Sequence, residues 1–242
     1  MRKYSYGSIL LILIVNAILV GILQNIFDGD LSILGGFVAF IFDYIICRGL
    51  LYDREGSFSD YFRGIKTMTG KVFLMNILVG AITVILDLLV TLASGGSILF
   101  FNDYVVNNTK ILIIIVVLFI LVTIFTSLIF AYMNFFMADE RYRDLSFFDS
   151  LKLIVKAGIK LFSESFMAGL KAYKITLLTG VIALVTAILS IKAPAAAILA
   201  IIFGLIAAIT LFFCTPPFRA SLSDIYIDRS EEIYNEVIGR ED

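Results

Sequence analysis

Residues 138–162 read ADERYRDLSFFDSLKLIVKAGIKLF and lie between two long apolar runs. The segment opens charged and then turns amphipathic. From Ser146 onward, Phe147, Phe148, Leu151, Ile154, Val155, Ile159 and Phe162 recur at helical spacing, and Asp149, Lys152, Lys156 and Lys160 take the opposite stripe. In a chain this apolar, such a helix is expected along a membrane surface, rings inward and lysines toward lipid headgroups.

The rest of the composition agrees. The chain has 242 residues, 60% of them apolar and 16% charged, with mean hydropathy +1.00; soluble domains run about 45–50% apolar and about 25% charged. The net charge of -1 conceals a strong sorting of charge along the chain. No basic run is interleaved with aromatics, so a nucleic-acid partner is not expected. Histidine is absent, which removes His-based acid–base chemistry, metal ligation and pH switching. Tryptophan is absent as well, leaving Tyr and Phe for the interfaces. Cys47 and Cys214 fall near expected cytoplasmic helix ends, where a disulfide is not expected, and they lack the spacing of a zinc site.

Working outward, hydropathy predicts an all-α membrane protein of one domain, 1–242, with six spans at about 7–27, 33–51, 72–93, 111–136, 175–191 and 195–214. The first run follows Arg2 and Lys3 but is too long for a signal-peptide core and lacks an A-x-A exit, so a retained span is expected. Asn107-Asn108-Thr109 matches the glycosylation triplet, a pattern frequent by chance. Ser163-Glu164-Ser165 is read as an interruption followed by an interfacial turn to Lys174, and Pro216-Pro217 as the end of the sixth span. With the N-terminus inside, 17 of the 19 lysines and arginines fall on the cytoplasmic side, with Lys110 and Lys192 outside. The expected topology places both termini in the cytoplasm of a multi-pass plasma-membrane protein.

The central pattern recurs. Ser57-Phe58-Ser59-Asp60 and Ser146-Phe147-Phe148-Asp149 open similar segments, and Ser221-Leu222-Ser223-Asp224 repeats the opening. In S-x-x-D the serine oxygen caps free N–H groups and the acid suits the helix dipole. Interfacial helices are therefore expected at about 57–71, 146–162 and 221–238. An alternative register pairs residues 61–66 with residues 166–171.

Arg48-Gly49 with GSFSDYFRGIK, the AYMNFFMADERYRDLSFFDSLKLIVKAGIKLF segment, and Thr215-Pro216-Pro217-Phe218 with Tyr226 carry a resemblance. They are similar to an uncharacterised family of multi-pass membrane proteins of Gram-positive bacteria, related in style to the membrane domain attached to some glycerophosphodiester phosphodiesterases. The resemblance covers residues about 35–73, 130–162 and 212–228. It implies a fold and a bacterial plasma membrane, and no catalytic residues.

Asp43 and Asp87 fall inside spans, where an insertion penalty of roughly 2.5–3.5 kcal/mol per carboxylate makes a cavity or partner necessary. They are candidates for a proton or cation relay, or for an interhelical hydrogen bond to Asn16, Gln24 or Asn76. Arg48 is expected to snorkel to the interface. Ala196, Ala200, Gly204 and Ala208 form a small-residue ladder for close helix packing. Arg63, Lys66, Lys71, Lys152, Lys156 and Lys160 form the expected surface for anionic lipid, each contributing about 1 kcal/mol. The Asp139-Glu140-Arg141 and Arg143 cluster is read as solvated, or as a dock for a membrane-protein partner. No hydrolase, zinc or nucleotide motif occurs, so neither enzyme activity nor a cofactor or metal is expected. The leading expectation is an accessory or scaffolding subunit, or a lipid-interacting homeostasis factor. The alternative is a small transporter or channel using the intramembrane carboxylates.

Overall fold

The computed structural model describes residues 2–26, 32–93, 109–190 and 193–239. Among them there are helices and turns and no strand. The helices are α1 (Tyr6–Ile26), α2 (Ser32–Tyr52), α3 (Phe58–Arg63), α4 (Gly70–Ala93), α5 (Thr109–Ile129), α6 (Met133–Ala138), α7 (Phe147–Lys160), α8 (Phe162–Ser190) and α9 (Ala196–Val237). Six stretches are long and apolar enough to cross a membrane, the fourth running through α5 and α6, as a multi-pass membrane protein requires.

The packed core gathers at one end of the bundle. Tyr44, Tyr61, Tyr132, Tyr226, Phe135 and Phe136 are its largest buried side chains. The Tyr226 ring lies 4.8 Å from Phe136, 5.4 Å from Phe135 and 6.4 Å from Tyr132, and so ties α9 to α6. Leu153, Ile154 and Ala157 insert one face of α7 into this core. Lys152, Lys156 and Lys160 stay exposed. Two glycines permit the closest approaches. A Cβ on Gly49 would sit 2.1 Å from the Tyr61 ring, and one on Gly158 would sit 1.8 Å from the Ile129 carbonyl oxygen.

That second contact accounts for a break that hydropathy does not reveal. The expected fourth span, 111–136, is interrupted at 130–132, where the Met133 N–H turns to the Phe130 carbonyl instead of continuing the helical ladder. The Ile129 carbonyl meets Gly158 of α7 at the same place. No proline or glycine marks the break; packing against α7 makes it.

Three further expectations are corrected. Pro216-Pro217 does not end the sixth span, because α9 continues through both prolines to Val237. Proline at 217 removes the N–H that would meet the Phe213 carbonyl, and the Tyr6 hydroxyl supplies a substitute at 3.0 Å. The segment expected as a separate helix at 221–238 is therefore the end of α9. Ser221 is mid-helix, its hydroxyl donating to the Pro217 carbonyl, and does not cap a new helix.

Ser163-Glu164-Ser165 does not interrupt the chain, for α8 is continuous from Phe162. The Ser165 hydroxyl lies 2.9 Å from the Leu161 carbonyl and 2.7 Å from the Tyr132 hydroxyl, so a polar residue is satisfied inside the core. The segment 57–71 is not one helix either. α3 gives way to a 3-10 turn over Gly64–Thr67, pinned by the Thr67 hydroxyl, which donates to the Gly64 carbonyl and accepts from the Tyr44 hydroxyl. Both expected caps form locally: the Ser57 N–H donates to the Asp60 carboxylate at 2.9 Å, and Ser146 Oγ accepts from the Asp149 N–H at 3.1 Å.

Candidate functional site

Asp43 sits on α2 nine residues before Tyr52, about 14 Å along the helix at 1.5 Å per residue. Its Oδ1 pairs with the Arg219 guanidinium of α9, and its Oδ2 accepts from Asn134 Nδ2 of α6 at 2.6 Å. Asn134 Oδ1 in turn accepts from Asn76 Nδ2 of α4 at 3.2 Å, and the same Asn76 amide donates to the Val72 carbonyl of its own helix at 2.8 Å. Four helices thus contribute one chain of polar side chains at the level of the apolar spans. A buried charge is tolerated only when paired and hydrogen-bonded, and Asp43 is both.

The chain of polar groups lines a cavity of about 890 Å³. Asn16 of α1 and Thr215 of α9 join Asp43, Asn76, Asn134 and Arg219 among the polar residues that line it. Phe37, Phe40, Gly80 and Val84 belong to its apolar walls on α2 and α4. The Phe40 and Phe73 rings meet edge to face at 5.2 Å, joining those two helices. Arg219 and Asp43 remain 26% and 25% exposed. Asn16 Oδ1 is buried and, among the described residues, has no hydrogen-bond partner.

Of the residues expected at a site, Asp43 is placed in this network, but its partners are Asn134 and Arg219. Asn76 is one link away and Asn16 lines the same cavity. Arg219 was not anticipated, since reading a stop at Pro216-Pro217 put it in a charged tail. The available signal was that Asp43 needs a cation, and Arg219 directly follows the sixth apolar run. Asp87 is on α4, with its side chain outside the described residues.

The basic candidates are dispersed. Lys160 Nζ bonds Glu232 at 2.9 Å and Glu236 at 2.6 Å, and Lys156 approaches Glu236 at 3.8 Å, so part of the α7 basic stripe faces the end of α9. Lys71 donates to the Leu145 and Arg143 carbonyls. Arg63 pairs with Asp60 at 3.4 Å and is exposed, as Lys66 is. Arg48 reaches Asp53 at 3.4 Å and lies over the Tyr52 ring. In the ladder, Ala196, Ala200 and Gly204 are half-buried and Ala208 is exposed. A Cβ at Gly204 would meet nothing within 4 Å, so that glycine makes no close contact among the described residues.

A second polar cluster closes the packed end. Asp139 is buried, accepting from the Arg141 backbone and side chain and from the Tyr226 hydroxyl at 2.9 Å. Burial pushes its carboxyl up, but the Arg141 and Tyr226 bonds outweigh this and hold it below the ordinary carboxylate value. Beside it, Arg54 joins α2's end to α9 through Asp224 at 2.5 Å and Ser223 at 3.0 Å. These contacts join the ends of α2 and α6 to α9, with the Arg141 side chain half-exposed.

No family model matches the chain, no curated protein is detectably similar in sequence, and no solved structure matches its fold.

Proposed function

We propose that the chain is a small transporter of the plasma membrane, with both termini in the cytoplasm, that acts without catalytic chemistry. The observation that carries this reading is the Asp43–Arg219 pair in the wall of the 890 Å³ cavity at span level. Intramembrane ionisable residues facing a cavity mark substrate or ion pathways. The helix break at 130–132, directly before Asn134, adds support, because interrupted helices frame midplane sites in many transporters. In this reading the pair is a switch: substrate or a proton competes for Asp43, Arg219 is released, and α9 moves relative to α2.

The test is accessibility from the two sides of a vesicle. In a variant with Cys47 and Cys214 replaced, Gly80→Cys should react with a membrane-impermeant maleimide from either side, with the ratio shifted by Asp43→Asn. A thiol that reacts from one side only, in both backgrounds, would sink the transporter reading.

The second reading is an accessory or lipid-interacting subunit of a bacterial plasma membrane, as the family resemblance implies. Exposed Arg63 and Lys66 support it as a surface for anionic headgroups or for a membrane-protein partner. The engagement of Lys156 and Lys160 with Glu232 and Glu236 leaves it less well supported than the transporter. Native mass spectrometry showing a stoichiometric second polypeptide would reverse that ranking.

A further inference from the structure

The cavity has unmatched hydrogen-bonding capacity of both kinds. Arg219 offers five N–H donors, and among the described residues its ion-pair partner is Asp43 alone. The other sign is supplied by the remaining lone pairs of the Asp43 carboxylate and by Asn16, which lines the same cavity and whose enclosed Oδ1 has no partner among the described residues. A ligand that satisfies this end must bring an anionic or strongly accepting oxygen for the guanidinium. It must also bring an N–H donor for Asn16 and Asp43.

Charge narrows the choice. Asp43 and Arg219 cancel, so the polar end is neutral overall, and a ligand of net charge would bring an uncompensated ion into surroundings of low dielectric. A zwitterion does not. The remaining walls point to an amphiphile. Leu13, Phe37, Phe40, Ile77 and Val84 line the cavity, and Ile77 and Val84, 49% and 67% exposed, continue from it onto the outer face of α4. Acyl chains can follow that surface from the bilayer while the headgroup enters between α2 and α4.

We infer that the cavity binds a zwitterionic lipid whose headgroup carries a primary ammonium and a phosphodiester, the phosphoethanolamine class. The phosphate faces Arg219, and the ammonium faces Asp43 and Asn16. A quaternary ammonium has no N–H to give Asn16 Oδ1, so the site discriminates against the choline headgroup although its charge is the same. This deepens the proposed function, since it rests on the same cavity being the working site.

The test is titration of the full chain in detergent with dihexanoyl phosphatidylethanolamine, phosphatidylcholine and phosphatidylglycerol, and with free phosphoethanolamine. The ethanolamine lipid is expected to bind at least about tenfold tighter than either other lipid, with the free headgroup weak. Asn16→Leu should erase the ethanolamine-over-choline preference by weakening the ethanolamine lipid more than the choline lipid, whereas a general loss of packing would weaken both alike. Gly80→Phe should abolish lipid binding by filling the cavity, because a side chain there meets open space and the fold has no reason to change.

Equal affinity for the ethanolamine and choline lipids would overturn the inference, as would preference for the anionic glycerol lipid. Free phosphoethanolamine binding as tightly as the lipid would make this a site for a soluble zwitterion and overturn the lipid assignment. Because binding is read at equilibrium, selective binding combined with one-sided thiol labelling would retain this site and remove the transporter. Two-sided labelling without selectivity would do the reverse.

Discussion

Two polar clusters of this bundle, one around Asp139 and one around Asp43, are built on different terms. In the first, rings from α6 and α9 close around Tyr226, and Asp139, Arg141, Arg54 and Asp224 are drawn into hydrogen bonds and ion pairs. Around Asp43 polar groups line a cavity, and the enclosed Asn16 Oδ1 is left unmatched among the described residues. Beyond it, the α8–α9 hairpin exposes Leu178, Val181, Ile198 and Ile201, surface that lipid covers in a membrane protein. The contrast shows where rigidity is stored. In the transporter reading proposed above, the cavity that opens would sit next to a cluster held by hydrogen bonds.

Substitutions can break or sharpen this contrast. The largest effect is expected at the packed end from Gly158→Leu, whose Cβ would lie 1.8 Å from the Ile129 carbonyl oxygen. Moving the helices apart costs at least roughly 3 kcal/mol, and loss of the monodisperse peak in size-exclusion chromatography is the expected outcome. Next, Asp139→Ala leaves the buried Tyr226 hydroxyl unpaired and should lower stability by about 2 kcal/mol, read as a fall in the melting midpoint in detergent. The pH dependence has a definite sign. The Asp139 carboxyl is depressed on folding from 3.8, so its contribution is complete above that value and is lost as pH falls through the lower folded value. Melting midpoints from pH 6 down to about pH 3 should fall less steeply for Asp139→Asn than for the parent chain, and parallel curves would count against this role.

At the cavity the expected effects are no larger and partly cancel. Arg219→Met leaves Asp43 unpaired and should cost about 2 kcal/mol, whereas Arg219→Met with Asp43→Leu should return to within about 1 kcal/mol of the parent. A double variant no better than the single would mean that the pair is part of the packing and not a separable switch. Tyr6→Phe removes the hydroxyl that serves the Phe213 carbonyl and should cost about 1 kcal/mol. The smallest change, within about 0.5 kcal/mol, is expected for Ile201→Val on the exposed hairpin.

Hydropathy and local chemistry carried the reading a long way. Apolar runs of spanning length located the helices, and the Ser57 and Ser146 caps formed because a serine and an acid three residues on need no distant partner. Legibility ended where an element depends on another part of the chain. Pro216-Pro217 read as a stop because the compensating Tyr6 hydroxyl is 207 residues from the Phe213 carbonyl it serves. Ser165 read as an interruption because its partner is the Tyr132 hydroxyl. Half of the candidate site was visible, since Asp43 in an apolar run calls for a partner; Arg219, at the far end of the chain, was hidden by the same misread prolines.

By itself, then, the sequence determined the number and type of the long helices, their local caps and the need for a partner at Asp43. Those properties follow from residue type within a few turns, where transfer free energy and short-range hydrogen bonding decide. Only the tertiary structure decided that α9 passes through its prolines, that α5 breaks at Gly158's contact, and that Asp43 meets Arg219 at a cavity. Each of these depends on a donor, a carbonyl or a guanidinium brought from a remote segment. Spacing along the chain carries no record of that distance.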